Sequence, residues 1–191
     1  MLPNIALVGK QGAGKSSIAQ SLVAEYGFTQ MSWAAPVRQI FEMAYGPIID
    51  YAATKSQMYS VTTTEGIVPR TGRELLQRIG TDAIRNNVDQ EFWIKAGIQR
   101  IRHQSQTCND DTRFLNEATA LRGLGWTIVR VTAPEEVRKV RLGSAFVDGG
   151  HQSEIEQDHI VVDVEVTNDG TISAQELTRS LVADLERYLL S

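Results

Sequence analysis

The sequence predicts an α/β protein in three layers, a mainly parallel central sheet with helices on both faces. Three observations carry this. The apolar run Ile5, Ala6, Leu7, Val8 opens directly into GKQGAGKS, Gly9 to Ser16. Strand-like and helix-like segments then alternate down the chain. No repeat, low-complexity tract or linker interrupts them.

The octapeptide matches the phosphate-binding pattern G-x-x-x-x-G-K-[ST] at every fixed position. Gly9, Gly12 and Gly14 permit backbone conformations closed to other residues, so successive N–H groups can turn toward a phosphate. Lys15 brings a compact positive charge to the β- and γ-phosphates, and the Ser16 hydroxyl can complete a Mg²⁺ shell. A strand is expected before this loop and a helix after it. Ile18, Leu22, Val23 and Tyr26 recur at helical spacing until Gly27 stops the pattern.

The remaining elements follow in order. A short segment lies around Met31 to Trp33, then a helix from about Pro36 to Tyr45, its proline suited to a first turn. Tyr51 to Val68, rich in Thr and Ser without a clean period, reads as a mobile loop. Helical patterns run from Gly72 to about Asn87, from Gln90 to about Arg102, from Leu115 to Leu124 and from Glu135 to Leu142. Thr127 to Val131 and Val161 to Val166 read as strands. Ala174 to Leu190 is the closing helix, with Leu177, Leu181, Leu185 and Leu189 as its buried stripe.

At 191 residues the chain supports one well-buried core and predicts a single domain over 1–191. A net charge of −4 argues against a protein that coats nucleic acid. The single cysteine, Cys108, excludes an internal disulfide and fits a reducing cytoplasm; as a nucleophile it lacks an assured histidine partner. No apolar run is long enough for export or for a membrane span.

The helix from Gly72 carries a second constellation. At about 100° per residue, Arg73, Gln77, Thr81 and Arg85 share one face, and Leu75, Leu76, Ile79 and Ala83 the opposite one. Two guanidinium forks, an amide and a hydroxyl suit a phosphate plus a base edge. A solvated helix face is the plain alternative.

Together these segments resemble the bacteriophage-type deoxynucleoside monophosphate kinases. Besides GKQGAGKS, the resemblance rests on SWAAPVRQIF (Ser32 to Phe41), GRELLQRIGTDAIR (Gly72 to Arg85) followed by Phe92 and Trp93, and DTRFLNEA (Asp111 to Ala118). HQSE (His151 to Glu154) and DVEVTNDGT (Asp163 to Thr171) complete it. It implies a P-loop kinase fold with a helical monophosphate-binding insertion at about 33–103 and a lid at about 133–158. The implied enzyme moves the γ-phosphoryl group of ATP, with Mg²⁺, onto a deoxynucleoside monophosphate. It would work in the cytoplasm on small molecules, without a stable nucleic-acid complex or a membrane, and a homodimer is compatible with it.

The resemblance also implies roles. ATP would lie on Gly12, Ala13, Gly14, Lys15, Ser16 and Ser17, with Arg138 reaching from the lid. Lys15, Arg113, Asp111 and Arg141 would serve transfer, and Ser16 and Asp111 the metal. Arg38, Arg73, Gln77, Thr81, Arg85 and Glu117 would form the acceptor pocket, with Trp33 or Trp93 as a stacking surface or as core. Asn116 would orient the Asp111–Arg113 pair or cap a helix. His151 and Glu154 would shape the lid loop.

Three points stay open at this level. SQTCND before Asp111 is polar for a buried parallel strand, so the strand lies at an edge or Asp110 is the working carboxylate. Arg138 and Arg141 serve a lid or pair with Glu135 and Glu136. A kinase of a hydroxymethylated nucleotide within DNA, or a non-catalytic nucleotide-binding module, would share the loop. A regulatory GTPase would need an N-K-x-D guanine reader, which is absent. A motor-type ATPase would need an apolar strand ending in paired acids, and a dephospho-coenzyme A kinase would lack GRELLQRIGTDAIR.

Overall fold

The computed structural model describes residues 2–101, 106–143, 146 and 155–189. The chain divides into two compact units, one of Met1–Ser32 with Arg100–Ser191 and one of Trp33–Gln99.

The first unit is built on a five-stranded, wholly parallel sheet. Its strands are β1 (Ile5–Val8), β2 (Thr29–Met31), β5 (Thr107–Asn109), β6 (Thr127–Thr132) and β7 (Val164–Thr167), in the order β2-β5-β1-β6-β7. β1 is central, pairing Ile5 with Cys108 on one side and with Thr127 on the other. All four of its residues are fully buried. Ile5 and Leu7 join Ile18 and Leu22 of α1 (Lys15–Tyr26) and Leu177, Leu181 and Leu185 of α8 (Ala174–Tyr188) in one cluster. Ala6, Val8 and Ile128 alternate to the other face and are equally buried, so both faces of the sheet are covered. Leu189, expected in the α8 stripe, is exposed just past the helix end; Val182 and Thr178 are buried beside the leucines instead.

The polar strand before Asp111 is not at an edge. β5 lies between β2 and β1, and Thr107, Cys108 and Asn109 are all fully buried. The Thr107 N–H donates to Asn4 Oδ1 at 2.8 Å and Asn109 Nδ2 donates to the Met31 carbonyl at 3.2 Å, while the Thr107 hydroxyl is buried without a hydrogen-bond partner. The last strand is shorter than Val161 to Val166, because Asp163 Oδ2 accepts the Ile128 N–H at 2.7 Å and holds the chain before the ladder begins. Among the described residues this unit also holds α6 (Leu115–Gly123), α7 (Glu135–Leu142) and a 3₁₀ turn at Glu156–His159.

The second unit holds α2 (Ala35–Tyr45), α3 (Tyr51–Ser56), β3 (Met58–Thr63), β4 (Gly66–Thr71), α4 (Gly72–Gln77) and the start of α5 (Phe92–Ile101). Tyr51 to Val68 is therefore not a loop. Asp50 caps α3 by accepting from the Ala52 and Ala53 N–H groups, and β3 and β4 form an antiparallel hairpin. Thr, Val, Ile and Tyr favour strands, but this hairpin lies largely exposed, and only Tyr59 and Val61 of β3 alternate onto a half-buried side. Phe41, Tyr45 and Tyr59 pack together at centroid distances of 4.9 to 5.3 Å. The helix expected from Gly72 to Asn87 stops being α-helical at Gln77 and continues as a π-helical segment, Arg78–Arg85. Among the described residues no helix is long and apolar enough to cross a membrane.

Candidate active site

The site begins where β1 ends. Gly9 leaves the strand at φ +139°, and a Cβ there would lie 2.1 Å from the Val131 carbonyl oxygen, so only glycine lets the chain turn past β6. Gly14 ends the loop at φ +101°, where a Cβ would meet Asn168 Nδ2 at 2.2 Å. α1 then starts with no side-chain cap and no carboxylate in its first turn. Its first N–H groups and its positive dipole end thus remain available to an anion.

Lys15 is 8 % exposed. Its ammonium curls back over the loop, donating to the Gly9 carbonyl and to the Lys10 carbonyl at 3.2 Å. Ser16 and Ser17 are exposed. Lys10 pairs with Asp158 at 3.2 Å.

A second cluster forms at the end of β5, next to β1. Asn109 Oδ1 accepts from the Thr112 N–H at 2.9 Å and the Thr112 hydroxyl at 2.6 Å, folding the chain back. That turn brings Asp111 between Asn109 Nδ2, at 2.7 Å, and the Ser32 hydroxyl, at 2.5 Å. Asp110 takes Gln30 Nε2 at 2.8 Å on the exposed side. Both carboxylates thus tie the end of β5 to the β2 side, Asp111 through Ser32 and Asp110 through Gln30. Glu117 is 3 % exposed and accepts the Arg113 and Phe114 N–H groups at 2.9 and 3.2 Å, closing the start of α6. Asn116 lies inside α6 and caps nothing; its Oδ1 is buried without a hydrogen-bond partner.

α7 packs onto the loop. Arg141 Nη1 donates to the Gly12 carbonyl at 3.1 Å, and Nη2 donates to Asn168 Oδ1 at 2.8 Å. Asn168 Nδ2 donates to the Ala13 carbonyl at 2.9 Å. The Arg138 guanidinium lies 5.6 Å from the centroid of the Phe146 ring. Glu135 and Glu136 are taken by Lys139 at 2.7 and 3.4 Å, not by the two arginines. The Lys139 ammonium holds the Glu135 carboxyl below its usual range. The lid residues His151 and Glu154 lie outside the described residues.

The second unit carries the remaining candidates. Trp33 is 4 % exposed, as is Trp93, whose Nε1 donates to the Gly80 carbonyl at 2.7 Å. Arg73 and Gln77 are exposed and Thr81 and Arg85 half-buried. An α-helix gains on the axis by a little more than a full turn every four residues, whereas i→i+5 bonding makes four residues fall short of one. The switch at Arg78 therefore reverses the drift of this polar row, holding Arg73, Gln77, Thr81 and Arg85 closer to one column. The Arg38 guanidinium lies 5.2 Å from the Tyr51 ring centroid, beside an open cleft shared with Gln39, Glu42 and Ile48.

Asn168 and Asn109 carry the two clusters and were not singled out by residue-level reading. The signal available for Asn168 was its place, one residue past an apolar strand and before Asp169-Gly170.

The parallel sheet of order β2-β5-β1-β6-β7, with the glycine loop leaving its central strand, decides the architecture. The fold is that of the P-loop kinases. A shikimate kinase from Acinetobacter baumannii in complex with shikimate aligns at TM-score 0.53 and 12 % identity, over 100 % of this chain and 97 % of that one. The Thermus thermophilus protein TT1252 aligns at 0.53 and 19 %, over 97 % of each. A gluconokinase from Sinorhizobium meliloti 1021 aligns at 0.52 and 16 %, over 97 % and 92 %. In sequence, the chain is 26 % identical over 183 residues to the Acanthamoeba polyphaga mimivirus protein named "Putative deoxynucleotide monophosphate kinase", covering 88 % of this chain and 89 % of that protein. No family profile matches the chain.

Proposed function

We propose that the protein is an ATP-dependent deoxynucleoside monophosphate kinase, transferring the γ-phosphoryl group of ATP to a dNMP to give dNDP and ADP. The observation that carries the reading is the Gly9 to Ser16 cradle, an uncapped helix N-terminus with a buried lysine folded over it. The mimivirus relative's name supports the acceptor class.

The residues present fit the groups this reaction needs. Loop N–H groups and Lys15 supply positive potential for a triphosphate. Mg²⁺ keeps several waters and takes one or two protein oxygens, which the exposed Ser16 hydroxyl and Asp111 could provide. When bound, the ion would neutralise charge on the phosphate oxygens.

In the transfer, an oxygen of the acceptor 5′-phosphate forms a bond to the γ-phosphorus while the bond to the ADP oxygen breaks. Such a reaction needs positioning and positive charge more than covalent help. Lys15 is assigned to the moving group, and Asp111 to the metal's water shell with Arg113 near phosphate. Arg38, Arg73, Gln77, Thr81 and Arg85 of the second unit are assigned to the acceptor. Trp33, whose ring is buried, is assigned either to stacking on the acceptor base or to the core. The test is ADP formation from ATP with a panel of ribo- and deoxynucleoside monophosphates, modified pyrimidines and DNA. Turnover with DNA alone would replace this reading by a DNA-nucleotide kinase.

A further inference from the structure

A trans peptide unit points its C=O and its N–H in opposite directions. The carbonyl of Ala13 and the N–H of Gly14 belong to one such unit, so whatever grips that carbonyl also aims that N–H. The grip comes from Asn168, whose Nδ2 donates to the Ala13 carbonyl at 2.9 Å, with Arg141 Nη1 at 3.4 Å from the same oxygen. Asn168 is itself fixed. It is 8 % exposed, its N–H donates to the Thr132 carbonyl at 2.8 Å in continuation of the β6–β7 ladder, and its Oδ1 accepts from Arg141 Nη2. Both ends of the amide are thereby used, and its orientation is determined.

We propose that Asn168 is a positioning residue for nucleotide binding: by holding the Ala13 carbonyl against the β7 side, it aims the Gly14 N–H into the anion cradle. The contact also accounts for the glycine at position 14 from outside the loop. A Cβ there would fall 2.2 Å from Asn168 Nδ2, so loop and asparagine fit only as a pair. Arg141 takes the same part from α7, engaging the Gly12 and Ala13 carbonyls. This moves Arg141 from touching the transferring phosphate to setting the loop.

The inference rests on the triphosphate-binding half of the proposed function and not on the identity of the acceptor. Its test is calorimetric binding of ATP with Mg²⁺ to the full chain, beside steady-state KM values for ATP and for the acceptor. Asn168→Ala is expected to weaken ATP binding about tenfold, the effect of one buried hydrogen bond lost. Acceptor KM should stay within about twofold. Asn168→Asp keeps the acceptor for Arg141 but sets a carboxylate against the Ala13 carbonyl, and should weaken ATP binding at least as much while the chain still folds. Asn168→Asp binding ATP like the wild type, or acceptor KM rising as much as ATP KM, would overturn the inference and leave the kinase reading standing. A wild type that binds ATP but phosphorylates no monophosphate would overturn the acceptor assignment alone. A wild type that binds no ATP would overturn both.

Discussion

The Ser32 hydroxyl donates to Asp111 Oδ2 at 2.5 Å, joining the ends of two neighbouring strands, β2 and β5, through the carboxylate assigned to the metal. Removing that donor should loosen the carboxylate without removing it. Ser32→Ala is expected to raise the Mg²⁺ concentration needed for half-maximal ADP formation by about tenfold, and Asp111→Asn by more. A Mg²⁺ titration that superimposes for both variants and the wild type would remove Asp111 from the metal's surroundings.

Arg73 heads the polar row on α4 and is exposed, so its replacement costs little packing. Arg73→Ala should raise acceptor KM by about ten- to a hundredfold, the loss of a charge-assisted phosphate contact, with ATP KM unchanged. Equal acceptor kinetics in variant and wild type would leave the row as a solvated helix face.

Acid should destabilise the helix starts first. Hydrogen bonds from Ser173 to Glu176, and from Thr71 to Glu74, lower both glutamate pKa values below the ordinary 4.5. A carboxyl whose folded pKa is depressed adds stability above its unfolded pKa and loses it as pH falls through the folded one. The melting temperature is therefore expected to hold from neutral pH down to about 5 and to fall below it. In Ser173→Ala, which also loses the helix cap, the melting temperature should start lower and fall less steeply with acid. A slope identical to wild type would contradict the assignment.

Cys108 should be inert. Burial, with the Asp110 carboxylate adding to it, pushes its thiol up to about 12, and its Sγ contacts the Ala19 carbonyl at 3.9 Å. A thiol reagent at pH 8 should label it only after denaturation. Stoichiometric labelling of the native chain would show that β5 opens readily.

How much of this was legible in the sequence differs by element and for physical reasons. The sheet and its loop were, because β1 is continuously apolar and glycine is demanded at fixed spacing around the phosphate cradle. β5 was not, because its buried polar residues are held from far along the chain, the Thr107 N–H by the Asn4 side-chain oxygen and the Asn109 amide by the Met31 carbonyl. The β3–β4 hairpin was hidden by its exposure, and the π-helical turn by a spacing of apolar residues that suits either helix. Arg73, Gln77, Thr81 and Arg85 were picked as one face from an α-helical period. Thr81 and Arg85 are half-buried there, whereas Ala83, expected on the opposite face, is exposed. Asn168 offered only its place after the last strand, because its partner Ala13 lies 155 residues away.

Lys15 and its loop are proposed to drive transfer to a deoxynucleoside monophosphate. The measurement that tests it most directly is ADP formation from ATP and Mg²⁺ across the acceptor panel, for the wild type and Lys15→Ala. Turnover is expected with at least one deoxynucleoside monophosphate, and a fall of about 10²-fold or more in kcat for Lys15→Ala. Turnover with DNA but with no monophosphate, or equal kcat in the two proteins, would contradict it.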